Sequence, residues 1–241
     1  PCIGFGSEAE RYLKQFKLKT ISTRSSLLSR QAIEDATKDI RDDLSADVLA
    51  VSRLSKEKGL DILVEAVREI RDRFGAKIRV RIVGSGGQRG LLEELIEKYE
   101  LGDHVILDGH IAFGHELLVR YANAHLVAIP SRTEGLPKSA TEAMALGCPI
   151  VATRVGGLPE VLGTEEDKGL LVPPEDPAAL AEAISNLAQD PQRRQILGDA
   201  ALRHVHERFT LNEHIGRLAS LFGLPPATED KVPCELPSTH R

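Results

Sequence analysis

Tryptophan is absent from this 241-residue sequence, and phenylalanine and tyrosine bring the aromatic content to only 4%. A surface that stacks successive bases of a single-stranded nucleic acid needs a row of aromatic rings, so this composition argues against that class of partner. Cysteine is nearly as scarce. Cys2, Cys148 and Cys234 are odd in number, far apart and outside any CxxC pair. Neither a zinc framework nor a disulfide scaffold follows from them, and such usage fits a reducing cytoplasm. No apolar run approaches the ~20 residues that a membrane-spanning helix needs, and no signal-peptide pattern opens the chain. Blocks of basic charge are missing too. The net charge is −5 and the isoelectric point is near 5.9, so nucleic acid or an anionic membrane is not expected as the main partner. The first residue is Pro1 rather than Met, which points to residues upstream.

What is present is a regular alternation. From Asp47 onward, continuous apolar runs of the buried-strand type recur at Val48–Val51, Ile78–Val83, Val105–Leu107, Leu126–Pro130, Pro149–Thr153 and Gly169–Val172. Between them lie helical patterns. Leu60, Leu63, Val64, Val67, Ile70 and Phe74 share one face, closed by Gly75; Leu91–Tyr99, Glu116–Ala124 and Gln192–Arg208 are also helical. Asp176 followed by Pro177 reads as a cap and first turn. Strands alternating with helices predict an α/β fold, a doubly wound, Rossmann-like parallel sheet whose ligands bind at the carboxyl ends of the strands. This domain is expected over residues 47–224. Residues 1–46 read as a remnant of, or connection from, a preceding domain, with helices over Ala9–Phe16 and Leu28–Ala36 and a strand over Lys19–Thr23. A helix is expected over Asn212–Phe222, and residues 225–241, rich in Pro, Thr, Ser and charge, as a disordered tail.

The chain is organised around residues 128–160. A strand runs into Ser131-Arg132-Thr133-Glu134-Gly135-Leu136, and a helix is predicted from Pro137 with Ala140, Ala143, Met144 and Gly147 facing inward. Glu134 precedes this helix and Glu142 lies inside it. A helix start beside Gly135 is an anion site, and carboxylates next to it suit the hydroxyls of a sugar or ribose. Taken singly, Glu142 could pair with Lys138 on a solvated face and Glu134 could be a turn residue near the helix dipole. Arg53 and Lys58, after the first core strand, offer a guanidinium and an ammonium that suit a diphosphate, or form a solvated charged loop. Gly84 and Gly86 let backbone approach a ligand or make a flexible turn. His110 stands at the same edge, where a lone histidine is more often structural than catalytic, and Gly156-Gly157 reads as a ligand contact or a tight turn. A rival pattern, Gly84-Ser85-Gly86 with Gly90 and Asp108, echoes a dinucleotide fingerprint of an NAD-dependent oxidoreductase, but position 89 is Arg and the turn follows the second strand.

Taken together, Ser52-Arg53-Leu54 with Lys58-Gly59, Val83-Gly84-Ser85-Gly86, Pro130-Ser131 with Glu134-Gly135-Leu136-Pro137, Glu142-Ala143-Met144-Ala145, Gly147-x-Pro149 and Val155-Gly156-Gly157 resemble the GT-B retaining glycosyltransferases of family 4, also called glycosyltransferase group 1, over Val48–Leu224. The resemblance implies that this segment is the C-terminal half of a GT-B fold, the nucleotide-sugar donor domain. Arg53 and Lys58 would hold the diphosphate; Glu134, with the amides of Gly135 and Leu136, would contact the donor sugar and phosphate. Glu142 would bind the ribose, Gly84 and Gly86 would flank the nucleotide, and His110 and Ile111 would border the base. It also implies no metal and no cofactor beyond the donor, for which a UDP-sugar is the commonest choice in the family. The acceptor is unknown. An N-terminal acceptor domain is expected as the missing partner and as the route to any peripheral membrane contact of an otherwise cytoplasmic protein. A nucleotide-sugar-binding module without catalysis is the alternative.

Overall fold

A computed structural model of the chain describes residues 2–4, 20–22, 28, 30–39, 41, 46–75, 77–135, 137–163 and 167–208. The helices expected over 9–16 and 212–222, and the tail, lie outside the described residues. Two short strands, β1 (Cys2–Gly4) and β2 (Thr20–Ser22), pair in parallel. The second matches the strand expected there; the first is not signalled by the sequence reading. Helix α1 (Arg30–Lys38) follows, displaced by two residues from its expected limits.

The main body alternates as the apolar pattern predicts: β3 (Ala46–Val51), α2 (Leu60–Phe74), β4 (Val80–Val83), α3 (Arg89–Lys98), β5 (Val105–Gly109), α4 (His115–Ala122), β6 (Ala124–Ile129), α5 (Lys138–Ala145), β7 (Ile150–Thr153), α6 (Leu158–Leu162), β8 (Leu170–Val172), α7 (Pro177–Gln189) and α8 (Pro191–Arg208). Strands β3 to β8 form one six-stranded, wholly parallel sheet in the order β5-β4-β3-β6-β7-β8. One core cluster packs α4 and α5 on one face, and another packs α2, α3 and α7 on the opposite face. Burial on both faces explains why the strands read as continuous Val/Ile/Leu/Ala runs rather than alternating ones. Each fully buried Leu, Ile or Val removes its side chain from water, worth roughly 1.5–3 kcal/mol. The chain leaves β3 outward through β4 and β5, then returns to place β6 on the other side of β3. That reversal opens a crevice at the carboxyl ends of β3 and β6, where a doubly wound sheet takes its ligand.

Local signals explain several boundaries. Gly75 takes φ +61° after α2 and its N–H donates to Arg71 O, and the Asp176 side chain accepts from Ala179 N at 2.9 Å to cap α7. Three expectations need correction. Pro137 is extended (ψ 117°) and α5 begins at Lys138, because a proline before the first turn loses no helical hydrogen bond there either. Phe74 is 39% exposed although it continues the apolar stripe of α2; the buried stripe ends at Ile70, and the ring carries the Arg73 guanidinium instead. Helix α4 stops at Ala122 rather than Ala124, since the Asn123 side chain donates to Val119 O and accepts from Arg41 N.

Candidate functional site

Two loops meet at the β3/β6 crevice. The first, residues 52–59, ends in a 3₁₀ turn over Lys56–Lys58. The second runs from Pro130 to Gly135. Gly59 joins them: it takes φ +61°, and a Cβ there would stand 2.0 Å from Pro130 O, so only glycine permits this approach. The approach brings Lys58 Nζ to 2.6 Å from Glu134 Oε1, with the two side chains 18% and 7% exposed. Ser131, itself buried, donates its Oγ to the same carboxylate oxygen at 2.8 Å, and Thr153 Oγ1 donates to Ser131 O. From the far side, Gly156 (φ +51°) lies so close that a Cβ would stand 1.7 Å from Glu134 O, and Gly157 N donates to Gly135 O at 3.0 Å. Gly156-Gly157 thus supports the Glu134 backbone. A nearly buried carboxylate is costly unless paired and hydrogen-bonded; here Lys58 and Ser131 satisfy it, while the neighbouring loops hold its backbone in place.

The other sequence candidates fall around this pair. Arg53 lies at the same edge but is 78% exposed and turned to Glu57, 3.3 Å away; it is not brought against Glu134. An exposed pair of this kind holds its side chains only weakly. Gly84 (φ +152°) and Gly86 (φ +156°) are explained by loop packing, since Cβ atoms there would stand 1.8 Å from Ser52 O and 2.4 Å from Leu54 O. The β4 loop is bonded to the Lys58 loop by Leu54 N donating to Ser85 O. His110 is exposed after β5, and Ile111 is half-buried against the core beneath α4 and α5. Gly135 is exposed, and Leu136 lies outside the described residues. Asp108, the acidic member of the dinucleotide echo, is held by both forks of Arg81 (2.7 and 2.9 Å) and by Arg120 at 3.1 Å. Its lone pairs are engaged within the fold. Cys148 is buried, and burial pushes its thiol up to about 12, which removes it as a nucleophile.

Three participants were given no role by the sequence reading. Ser131 and Arg132 stand in the turn after β6 and were read only as part of its motif. Tyr121, fully buried on α4, donates its hydroxyl to Glu142 Oε2 at 3.0 Å. Glu142 therefore sits at the α4–α5 contact and not on a solvated face. Burial raises its pKa, opposed by the Tyr121 hydrogen bond and the charge of Lys138. A carboxyl whose folded pKa is raised adds stability at low pH that is lost as pH rises through that folded pKa. Glu142→Gln keeps the shape without the charge. It is expected to denature at higher denaturant concentration than the parent at pH 8, with the gap closing as the buffer is acidified. A gap that does not change with pH would remove burial of the charge as its cause.

The family model described as glycosyl transferases group 1 matches residues 34–204. The chain belongs to this family. Among curated relatives, the D-inositol 3-phosphate glycosyltransferase of Corynebacterium urealyticum is 34% identical over 219 residues, covering 86% of this chain and 50% of that protein. This chain therefore spans about half the length of such a relative. Sucrose-phosphate synthase from Thermosynechococcus elongatus superposes with a TM-score of 0.76 at 28% identity, over 92% of this chain and 57% of the other. The Anabaena protein Alr3699/HepE, solved in complex with UDP-glucose, superposes with a TM-score of 0.73 at 23% identity, over 92% of this chain and 63% of the other. The α/β fold described above, a six-stranded parallel sheet flanked by helices, matches the corresponding part of these GT-B glycosyltransferase structures. No described helix is long and apolar enough to cross a membrane.

Proposed function

We propose that this chain supplies the donor half of a retaining glycosyltransferase, which moves a sugar from a nucleotide diphosphate sugar to an acceptor. The observation that carries the reading is the Lys58–Glu134 contact at the β3/β6 crevice. It holds a cation and a carboxylate side by side, where a diphosphate and a sugar ring would lie. Lys58 offsets the negative charge that grows on the departing diphosphate. Glu134 accepts from the donor sugar hydroxyls, with the Gly135 and Leu136 amides near sugar and phosphate. Arg53, free to swing from Glu57, closes on the outer phosphate. Glu142, anchored through one oxygen by Tyr121, presents the other to the ribose, and His110 and Ile111 border the base. A UDP-sugar is the proposed donor, in line with the UDP-glucose bound to the Anabaena protein.

Calorimetric titration of UDP, GDP and ADP into the chain tests this reading, with Glu142→Ala alongside. One nucleotide is expected to bind saturably to the parent, and about tenfold more weakly to the variant, which loses a charged acceptor for two hydroxyls. A folded chain that binds none of the three, or binds one equally well without Glu142, overturns it.

A further inference from the structure

Arg132 stands two residues before Glu134, with its side chain 20% exposed. Its guanidinium grips Asp61 on α2 through both forks, Nη1 to Oδ1 at 2.7 Å and Nη2 to Oδ2 at 2.8 Å. Nη1 also donates to the Lys56 carbonyl at 2.7 Å. Nη2 reaches Glu175 Oε2 at 3.1 Å, and Nε donates to the other Glu175 oxygen. All five N–H groups of the fork are therefore engaged. The Arg132 backbone N–H adds a bond to Glu57 O at 2.8 Å. Two of these contacts end on the backbone of the Lys56–Lys58 turn. The turn is closed by its own backbone bonds, Lys58 N to Ser55 O at 3.0 Å and Gly59 N to Lys56 O at 3.2 Å, but its cap, Ser55, makes no side-chain cap bond, and Gly59 follows it in the left-handed region.

We infer that Arg132 is a positioning residue, a strut that fixes the Lys56–Lys58 turn and so sets where the Lys58 ammonium meets a diphosphate. The inference rests on the proposed role of Lys58. Planar, two-sided hydrogen bonding is the property that suits arginine and not lysine to this place. Burial alone would raise the Asp61 carboxyl, but the Arg132 hydrogen bonds hold it below its ordinary value, so the Asp61 end of the strut stays charged at neutral pH. Glu175, on the loop after β8 at φ +56°, anchors the other end. Without the strut the turn keeps the bond from the Arg132 backbone N–H to Glu57 O but loses the guanidinium bond to the Lys56 carbonyl and its tie to Asp61, and Lys58 samples several positions instead of one.

A double-mutant cycle tests this. UDP, GDP and ADP, and their nucleosides, are titrated into the parent chain, Arg132→Met, Lys58→Met and the double variant, with Arg132→Lys as a milder change. For the diphosphate that binds the parent, Arg132→Met is expected to weaken binding about tenfold, an effect typical of a misplaced charged group. Binding of the matching nucleoside stays within twofold. In the Lys58→Met background the same change has little further effect, because the group it positions is gone. Arg132→Lys keeps the charge without the fork and falls between. Equal losses in both backgrounds, or equal losses for nucleoside and diphosphate, overturn the strut. Should Arg132→Met not fold, the cycle with Arg132→Lys decides by the same criterion. If Lys58→Met leaves diphosphate affinity unchanged, the donor-site reading itself fails, which is a separate result.

Discussion

On the proposed role of Lys58, its replacement by alanine is expected to lower glycosyl-transfer turnover by about two to three orders of magnitude. Removing a single preorganised donor from a site of developing negative charge typically has that effect. Lys58 is suited to such a role because it is 18% exposed and its ammonium is held at 2.6 Å by a carboxylate that is 7% exposed. The charge is thus in place without any ligand. The same substitution also strands Glu134, leaving its carboxylate with the Ser131 hydroxyl and no cation at hand. Breaking a buried pair costs about 3–5 kcal/mol, and the partial exposure of Lys58 argues for the lower end. The two consequences separate in a double variant. Lys58→Ala with Glu134→Gln removes the stranded charge, so stability returns toward that of the parent while turnover does not. Urea denaturation and initial rates, measured side by side, check both. A folded Lys58→Ala enzyme with turnover within about twofold of the parent would show that the lysine has no catalytic part.

Gly156→Ala is expected to be the most damaging single-methyl change in the crevice. The residue takes φ +51°, and the added Cβ would stand 1.7 Å from Glu134 O and 2.7 Å from its carbonyl carbon. Both are backbone atoms, which cannot rotate aside as a flexible side chain would. Either β7's outgoing loop or the Glu134 loop must move, and the second movement dismantles the Lys58 contact. Gly75 supplies the control. Its φ is +61°, yet a Cβ there meets nothing within 4 Å, so Gly75→Ala carries only the conformational penalty, about 1 kcal/mol. Gly156→Ala adds a backbone collision and should lose roughly 3–5 kcal/mol or fail to fold. Denaturant midpoints of the two variants make the comparison. Midpoints that match within error would mean that the loop accommodates the methyl, and that Glu134 does not depend on Gly156 for its place.

The fold was legible to the extent that it depends on short-range patterns. Val48–Val51, Val80–Val83 and Ile150–Thr153 read as buried strands because both of their faces are covered. Gly75 and Asp176 mark helix ends by conformations that few residues adopt or hydrogen bonds that few can make. Boundaries slipped where a second interaction competed. Asn123 cut α4 short with its own side chain, and Pro137 serves as well before a helix as at its first position. Among the candidate site residues, Lys58 and Glu134 were named from position alone, and the structure brings them into contact across 76 residues of chain. Gly84 and Gly86 were read as letting backbone approach a ligand or as making a flexible turn, and the structure shows that they also admit the backbone of Ser52 and Leu54.

By itself, then, the sequence determined the class of this protein: a parallel α/β sheet, its strand ends rich in glycine and charge, and a set of motifs belonging to the group 1 glycosyltransferases. The sheet and its strand ends follow from periodicity and local conformational preference, which act over a few residues and survive in any arrangement of the strands; the family followed from the resemblance of the motifs. Only the tertiary structure decided which of the charged groups meet. Arg132 finds Asp61 across 71 residues, Tyr121 finds Glu142 between two helices, and Arg53 is left in solvent while Lys58 is drawn in. Each outcome depends on the strand order β3-β6 at the centre of the sheet and on loops that approach to within the space of a missing methyl. Such contacts are set by the packing of distant segments, and no spacing within the sequence encodes them.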